Sequence, residues 1–258
     1  MMQEWKAMLQ KAENWAREAG RELVKRAEGP MDISSKTTAI DLVTEMDIWT
    51  ESFLTEKIKE HYPGHKMKTE ESGSYHGDSS YEWVIDPIDG TVNYARGIPF
   101  YGISIGIRHE GETAAGLVYA PKLDEMFTVL KGSGAWLNGN SIHSSETEQL
   151  EKAVIGTGFP YDKGTTGDNN LSHVNRVVPR VGGLRRTGSA ALDLCQVACG
   201  RMDACWEIKL NDWDVEAGLL MVKEAGGKTK VKTEQQGLFV LASTPGIYDE
   251  LNSLINRD

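Results

Sequence analysis

The six residues Asp86-Pro87-Ile88-Asp89-Gly90-Thr91 put two carboxylates, a proline, a glycine and a hydroxyl directly after the apolar run Trp83-Val84-Ile85. That run predicts a strand, with the six residues at its end. Carboxylates three positions apart, on a chain stiffened by proline, can aim at one point and hold divalent cations through oxygen. Gly90 permits a close backbone approach and Thr91 offers a hydroxyl at a helix start, both of which suit a phosphate. The same residues also make an ordinary turn with an Asp cap. The choice between these readings depends on what the rest of the chain can bring to the same place.

Several acidic positions are candidates for partners. Glu70-Glu71 precedes a polar segment running to Ser80 and, taken alone, reads as a solvated acidic loop. Asp214, in Asn211-Asp212-Trp213-Asp214, stands at the entry of a helix, where an acid commonly serves as a cap or dipole partner. Asp41 and Asp47 have similar local explanations as turn and cap residues, and Thr44 with Asp47 fits a capping box. Every one of these groups is an oxygen donor suited to Mg²⁺, whereas the six histidines are scattered without a zinc spacing.

The elements that must position these groups show in the hydrophobic pattern. Trp5, Met8, Leu9, Ala12, Trp15, Ala16, Ala19, Leu23 and Val24 recur at three- and four-residue steps, which predicts an amphipathic helix stopped by Gly29-Pro30. A second helix runs on from Asp47 to about His61, before Pro63-Gly64. Strands are predicted at 83–85, 103–107, 115–119 and 126–130, with a tight hairpin at Asn138-Gly139, giving a largely antiparallel sheet. Further on, strands at 153–157, 202–207 and 238–242 alternate with helices at 171–178, 189–198, 213–225 and 247–255. A boundary near Leu150 divides residues 1–150, an α+β half with most of the carboxylates, from residues 151–258, an α/β half with Asp214.

Composition narrows the function further. The 258 residues are 40% hydrophobic and 26% charged, as in an ordinary globular chain with ample sequence for a core. There are 28 basic against 38 acidic residues, a formal charge of -10, and no Lys/Arg block, which argues against direct binding of nucleic acid. An acidic chain can still take an anionic substrate where metal ions invert the local field. Cys195, Cys199 and Cys205 lack zinc-finger or secreted-scaffold spacing and read as reduced, largely core thiols. With no signal-peptide pattern and no apolar run of roughly 18 residues, a cytoplasmic protein without a membrane span is expected.

The segments Asp41-Leu42-Val43-Thr44 with Asp47, Glu70-Glu71-Ser72, Trp83 to Thr91, and Trp213-Asp214 leading to Glu224-Ala225-Gly226-Gly227 together resemble the inositol monophosphatase family of magnesium-dependent, lithium-sensitive sugar phosphatases. Arg185-Arg186-Thr187-Gly188-Ser189-Ala190-Ala191 and Thr157-Gly158-Phe159-Pro160 look like its bacterial members. Thr69 departs from the glycine usual in the family before the Glu pair, which bears on the mobility of that loop.

The resemblance implies an α/β fold, a layered αβαβα sandwich with the site between the halves. It implies that Glu70, Asp86 and the Ile88 carbonyl hold one Mg²⁺, and that Asp86, Asp89 and Asp214 hold a second, with two or three ions in all. Glu70 and Thr91 would activate water, with Lys36 and Asp47 in support. Gly90 and Thr91 would offer N–H groups to the phosphate, flanked by the ligands Ile88, Asp89 and Asp214. Glu207, Ala190 and Arg185 would line the sugar pocket. Inhibition by Li⁺, a homodimer and a sugar or polyol phosphate substrate are also implied. Two oxygen-bound cations about 3.5–4 Å apart are the chemistry a phosphate monoester demands, since its hydrolysis requires acceleration approaching ~10²¹. Myo-inositol 1-phosphate leads, supported by Glu207 and the compact length. Fructose 1,6-bisphosphate, 3′-phosphoadenosine 5′-phosphate and NADP stay open, as does a regulatory role with a protein partner, because some bacterial relatives bind the transcription machinery.

Overall fold

The computed structural model describes residues 1–27, 29, 33–35 and 42–256; Lys36 and Asp41 lie outside the described residues. The chain opens with α1 (Met2–Arg26), the two-stranded ladder β1 (Ile33–Ser35) and β2 (Leu42–Thr44), and α2 (Glu45–His61). Then come β3 (Lys66–Thr69), β4 (Gly73–Tyr75), β5 (Tyr81–Asp89), α3 (Thr91–Ala95), β6 (Gly102–His109), β7 (Glu112–Ala120), β8 (Glu125–Leu130), β9 (Gly134–Leu137) and β10 (Asn140–Ser141). The remainder comprises β11 (Val154–Thr157), α4 (Leu171–Val177), β12 (Gly183–Arg185), α5 (Ala190–Ala198), β13 (Ala204–Leu210), α6 (Asp212–Glu224), β14 (Lys228–Glu234), β15 (Gly237–Ser243) and α7 (Tyr248–Ile255).

Side-chain alternation along the strands builds five layers. Strands β3 to β10 form an eight-stranded sheet in the order β10-β9-β8-β7-β6-β5-β3-β4. Leu117 and Tyr119 of β7 face the core made with α1 and α2, whereas Val118 and Ala120 face α5 and α6. A five-stranded sheet, β12-β11-β13-β15-β14, covers the opposite side of α5 and α6 through Cys205, Val240 and Ala242. Its outer face turns Trp206, Phe239 and Leu241 toward α4 and α7. The resulting order is the αβαβα sandwich the resemblance implies. Cys195 and Cys205 belong to the central core, with Cys199 packed against it.

Local chemistry fixes the ends of the elements nearest the carboxylates. In α2 the Thr44 hydroxyl accepts from Met46 N, while Asp47 Oδ2 accepts from Thr44 N at 2.7 Å, closing the expected capping box. Asn138 and Gly139 both have positive φ, 49° and 79°, as the tight hairpin between β9 and β10 requires. Thr69, buried in β3, donates its hydroxyl to Gly73 O at 3.1 Å and so ties the β3–β4 turn shut.

One expectation is corrected. The strand predicted to end at Ile85 continues to Asp89, because β5 carries an irregularity against β6: Asp86 pairs with Ser104 and Asp89 with Gly102. Three steps along β5 match two along β6, which is a bulge, and Pro87, with no N–H to give, sits inside it. In a regular strand, residues three apart point to opposite faces. The extra residue removes that opposition and lets Asp86 and Asp89 converge.

Candidate active site

Asp86, Asp89 and Asp214 bring carboxylate oxygens to within 4.8 Å of one another. Asp86 and Asp89 come from the bulge of β5, and Asp214 from the first turn of α6. Asp214 Oδ2 accepts from Asn211 N at 2.6 Å, so the residue caps its helix and also faces the cluster. An arginine network fixes α6 in place: Arg108 of β6 donates to Glu82 at 2.9 Å, to Asp212 at 3.1 Å and to Glu216, and Lys68 donates to Asp212 at 2.6 Å. Asp89 Oδ2 accepts from Ser189 Oγ and Ala191 N, both at 2.6 Å, which joins the bulge to the start of α5.

These groups form the floor of a cleft of about 400 Å³, also lined by Glu70, Ile88, Gly90, Thr91, Ala190 and Glu207. Burial comes first in raising the Asp86 carboxyl well above its usual range, followed by the charges of Glu70, Asp89 and Asp214. Asp214 rises in the same way, and Asp89 to about 6, held back by its bonds to Ser189 and Ala191. Crowded carboxylates with little access to water are costly until a cation neutralises them. The all-oxygen donor set, with the Ile88 carbonyl beside it, fits a hard divalent ion.

Beside the cluster, Thr91 Oγ1 lies 3.0 Å from both Asp47 Oδ1 and Ile88 O. Asp47 therefore does two jobs, capping α2 with one oxygen and meeting Thr91 with the other. It is fully buried, and burial lifts its carboxyl to about 6 against the pull of Thr44 and Thr91. Gly90 adopts φ 94°, and a Cβ there would lie 3.1 Å from Phe100 O and 3.2 Å from Gly188 O, so only glycine passes easily between the two segments. Gly158 has a comparable constraint, since a Cβ would fall 1.9 Å from Glu207 Oε2. Glu207 enters the cleft through that missing side chain, and burial pushes its carboxyl well up.

The structure does not bring Arg185 into this cleft. Its side chain is exposed and donates to Leu184 O at 3.1 Å, while the next residue, Arg186, lines the cleft. The one-residue difference follows from strand alternation, because β12 ends at Arg185. Several supporting residues carry no motif in the sequence. Glu51, buried on α2, accepts from Glu71 N at 2.7 Å and Ser72 N at 2.8 Å, fastening the loop that bears Glu70. Asn93 donates to Phe100 O at 2.6 Å and Thr187 O at 2.8 Å, holding the Gly188-Ser189 turn against the Gly90 turn. Their helical placement is readable, but partners up to 94 residues away are not.

Residues 4–256 match the model of the Inositol monophosphatase family. The chain belongs to the inositol monophosphatase family. A putative Nus factor SuhB of Neisseria meningitidis serogroup B is 39% identical over 249 residues, 93% of this chain and 95% of that protein. The extragenic suppressor protein suhB of Bartonella henselae superposes with a TM-score of 0.89 at 35% identity, covering 97% of this chain and 99% of the other. An inositol monophosphatase from Anabaena (Nostoc) sp. PCC 7120 gives 0.86 at 37% identity, covering 97% and 95%. Family membership supports a phosphatase. No helix among the described residues is long and apolar enough to cross a membrane.

Proposed function

We propose that this chain is a Mg²⁺-dependent phosphatase that hydrolyses polyol monophosphates, with myo-inositol 1-phosphate as the leading substrate. The observation that carries this reading is the convergence of Asp86, Asp89 and Asp214 within 4.8 Å on the floor of a cleft that also holds Glu207. Glu70, Asp86 and the Ile88 carbonyl would hold one ion, and Asp86, Asp89 and Asp214 another. When bound, Mg²⁺ supplies charge neutralisation for the phosphate oxygens and lowers the pKa of water.

The chain's own groups do the rest. Asp47 Oδ1 takes the hydrogen bond from the Thr91 hydroxyl, which leaves the Thr91 oxygen free to accept one from the attacking water. Glu70 is the second acceptor for that water. Gly90 and Thr91 present backbone N–H groups to the phosphate, and Glu207 accepts from hydroxyls of the alcohol half. Arg186, at the cleft mouth, faces the same half. The relative from Anabaena is named an inositol monophosphatase, which supports the choice of substrate.

A regulatory role in binding another protein is the second reading, favoured by the name Nus factor on the Neisseria relative. The test is phosphate release from inositol 1-phosphate, fructose 1,6-bisphosphate, 3′-phosphoadenosine 5′-phosphate and NADP, with and without Mg²⁺. Magnesium-dependent preference for inositol 1-phosphate is expected. Preference for another ester would replace the substrate, and release from none would leave the regulatory reading.

A further inference from the structure

Lys209 is the residue of β13 whose placement the proposed chemistry leaves unexplained. Its φ is 59°, a left-handed conformation that is uncommon for a residue with a side chain. Of the other described non-glycine residues with positive φ, Glu110, Asp124 and Asn138 lie in turns and Asn170 caps α4. Only Lys209 lies within a strand. It falls in a second bulge, where Glu207 pairs with Val240 but Leu210 with Leu238. Bulges of this kind re-aim a side chain. Here the re-aimed ammonium stands at the wall of the cleft, its side chain 7% exposed.

There it donates to Asp162 Oδ2 at 2.8 Å and Thr166 Oγ1 at 3.3 Å. Asp162 begins the turn of a strap that runs from Gly158 to Asn170 and supplies Phe159, Pro160 and Tyr161 to the cleft. Asn170 anchors the far end, donating to Gly158 O and accepting from Trp206 Nε1. Asp162 Oδ1 is sealed from solvent and has no hydrogen-bond partner among the described residues, so the carboxylate depends on Lys209 for its compensation. Without the ammonium, the buried oxygen of this side chain, 31% exposed as a whole, would be left uncompensated, and the strap would open to hydrate it.

We propose that Lys209 and Asp162 form a latch that holds the 158–170 strap as the outer wall of the cleft and thereby sets its selectivity for the polyol half of the substrate. Both are positioning residues, and the selectivity half rests on the phosphatase reading above. The strained backbone provides a usable variant: Lys209→Gly removes the ammonium and suits a positive φ, which offsets part of the lost ion pair and keeps the protein folded. Lys209→Gly should raise KM for inositol 1-phosphate about tenfold with kcat changed less than about twofold, and leave p-nitrophenyl phosphate, whose leaving group has no hydroxyls to seat, unaffected. Trypsin cleavage after the exposed Lys163 of the strap should accelerate about tenfold, because cutting follows the open population. Asp162→Ala should do the same, and the double variant should be no worse than either single. Equal losses on both esters, additive single effects or unchanged trypsin rates would overturn the latch. Wild-type protein releasing phosphate from neither ester would refute the phosphatase reading and the selectivity half together, while the trypsin rates would still decide whether the latch exists.

Discussion

Asp86→Asn should make the metal-free protein more stable while removing its response to Mg²⁺. Asp86 is 2% exposed, and Asp89 and Asp214 place oxygens within 4.8 Å of its own. At that distance and an effective dielectric constant of about 20, each charged neighbour costs about 3.5 kcal/mol. Proton uptake relieves part of this cost. Burial, and then its acidic neighbours, raise Asp86, and burial raises Asp89 to about 6, so the folded state holds protons that the unfolded state has released. Stability of the metal-free wild type therefore falls as pH rises from about 4 through the raised range. The Asn amide keeps an oxygen for the bond from Ile88 N, now at 3.0 Å, and carries no charge.

The expected gain at pH 8 in EDTA is roughly 2–3 kcal/mol, or about 4–12 °C in Tm for a chain of this size. It should shrink at pH 5, where protonation of the wild type does the work of the substitution. Excess Mg²⁺ at about a hundred times its Kd should stabilise wild type by roughly 2.7 kcal/mol and the variant by much less. Thermal unfolding at the two pH values, with EDTA and with Mg²⁺, gives all four comparisons. A variant that melts below wild type at pH 8 in EDTA, or that shows the full Mg²⁺ shift, would refute the reasoning.

Three further outcomes follow from the same structure. Arg108→Met strips the cation from Glu216, whose side chain is 11% exposed, and should cost about 3 kcal/mol or more, lowering Tm by roughly 6–12 °C. Arg180→Met breaks an ion pair about half exposed on both sides and should cost at most ~1 kcal/mol, so equal melting shifts would count against the network. Gly158→Ala drives a methyl into the space of Glu207 Oε2 and, since that carboxylate can swing away, should raise KM for inositol 1-phosphate about tenfold at nearly unchanged Tm. An unaltered KM would remove Glu207 from the substrate pocket.

The sequence was most legible where a residue's neighbours in the chain decide its conformation. The capping box at Thr44 and Asp47, the Asn138-Gly139 hairpin and the apolar periodicity of α1 are local, and the structure shows each of them. The convergence of Asp86 and Asp89 was suggested by their spacing, but its cause is the bulge against β6, a non-local pairing that a single strand does not reveal. β14 escaped notice because KTKVKTE lacks an apolar face; it is an edge strand, where lysines discourage pairing with other chains. Asp47 and Asp214 looked like simple caps, and they are caps that also face the cleft. Lys209 gave no signal, because its partner lies 47 residues earlier and its left-handed backbone depends on the sheet.

The most direct test is phosphate release from inositol 1-phosphate by wild-type protein and Asp89→Asn, each assayed without Mg²⁺ and at saturating Mg²⁺. Asp89 combines a place in the carboxylate cluster with bonds to Ser189 and Ala191, and an Asn side chain keeps an oxygen for those bonds. Release by wild type only with Mg²⁺, and none by a folded Asp89→Asn variant, is the predicted result. Release by wild type without the metal, or undiminished release by Asp89→Asn at saturating Mg²⁺, would contradict a metal-dependent phosphatase built on these carboxylates.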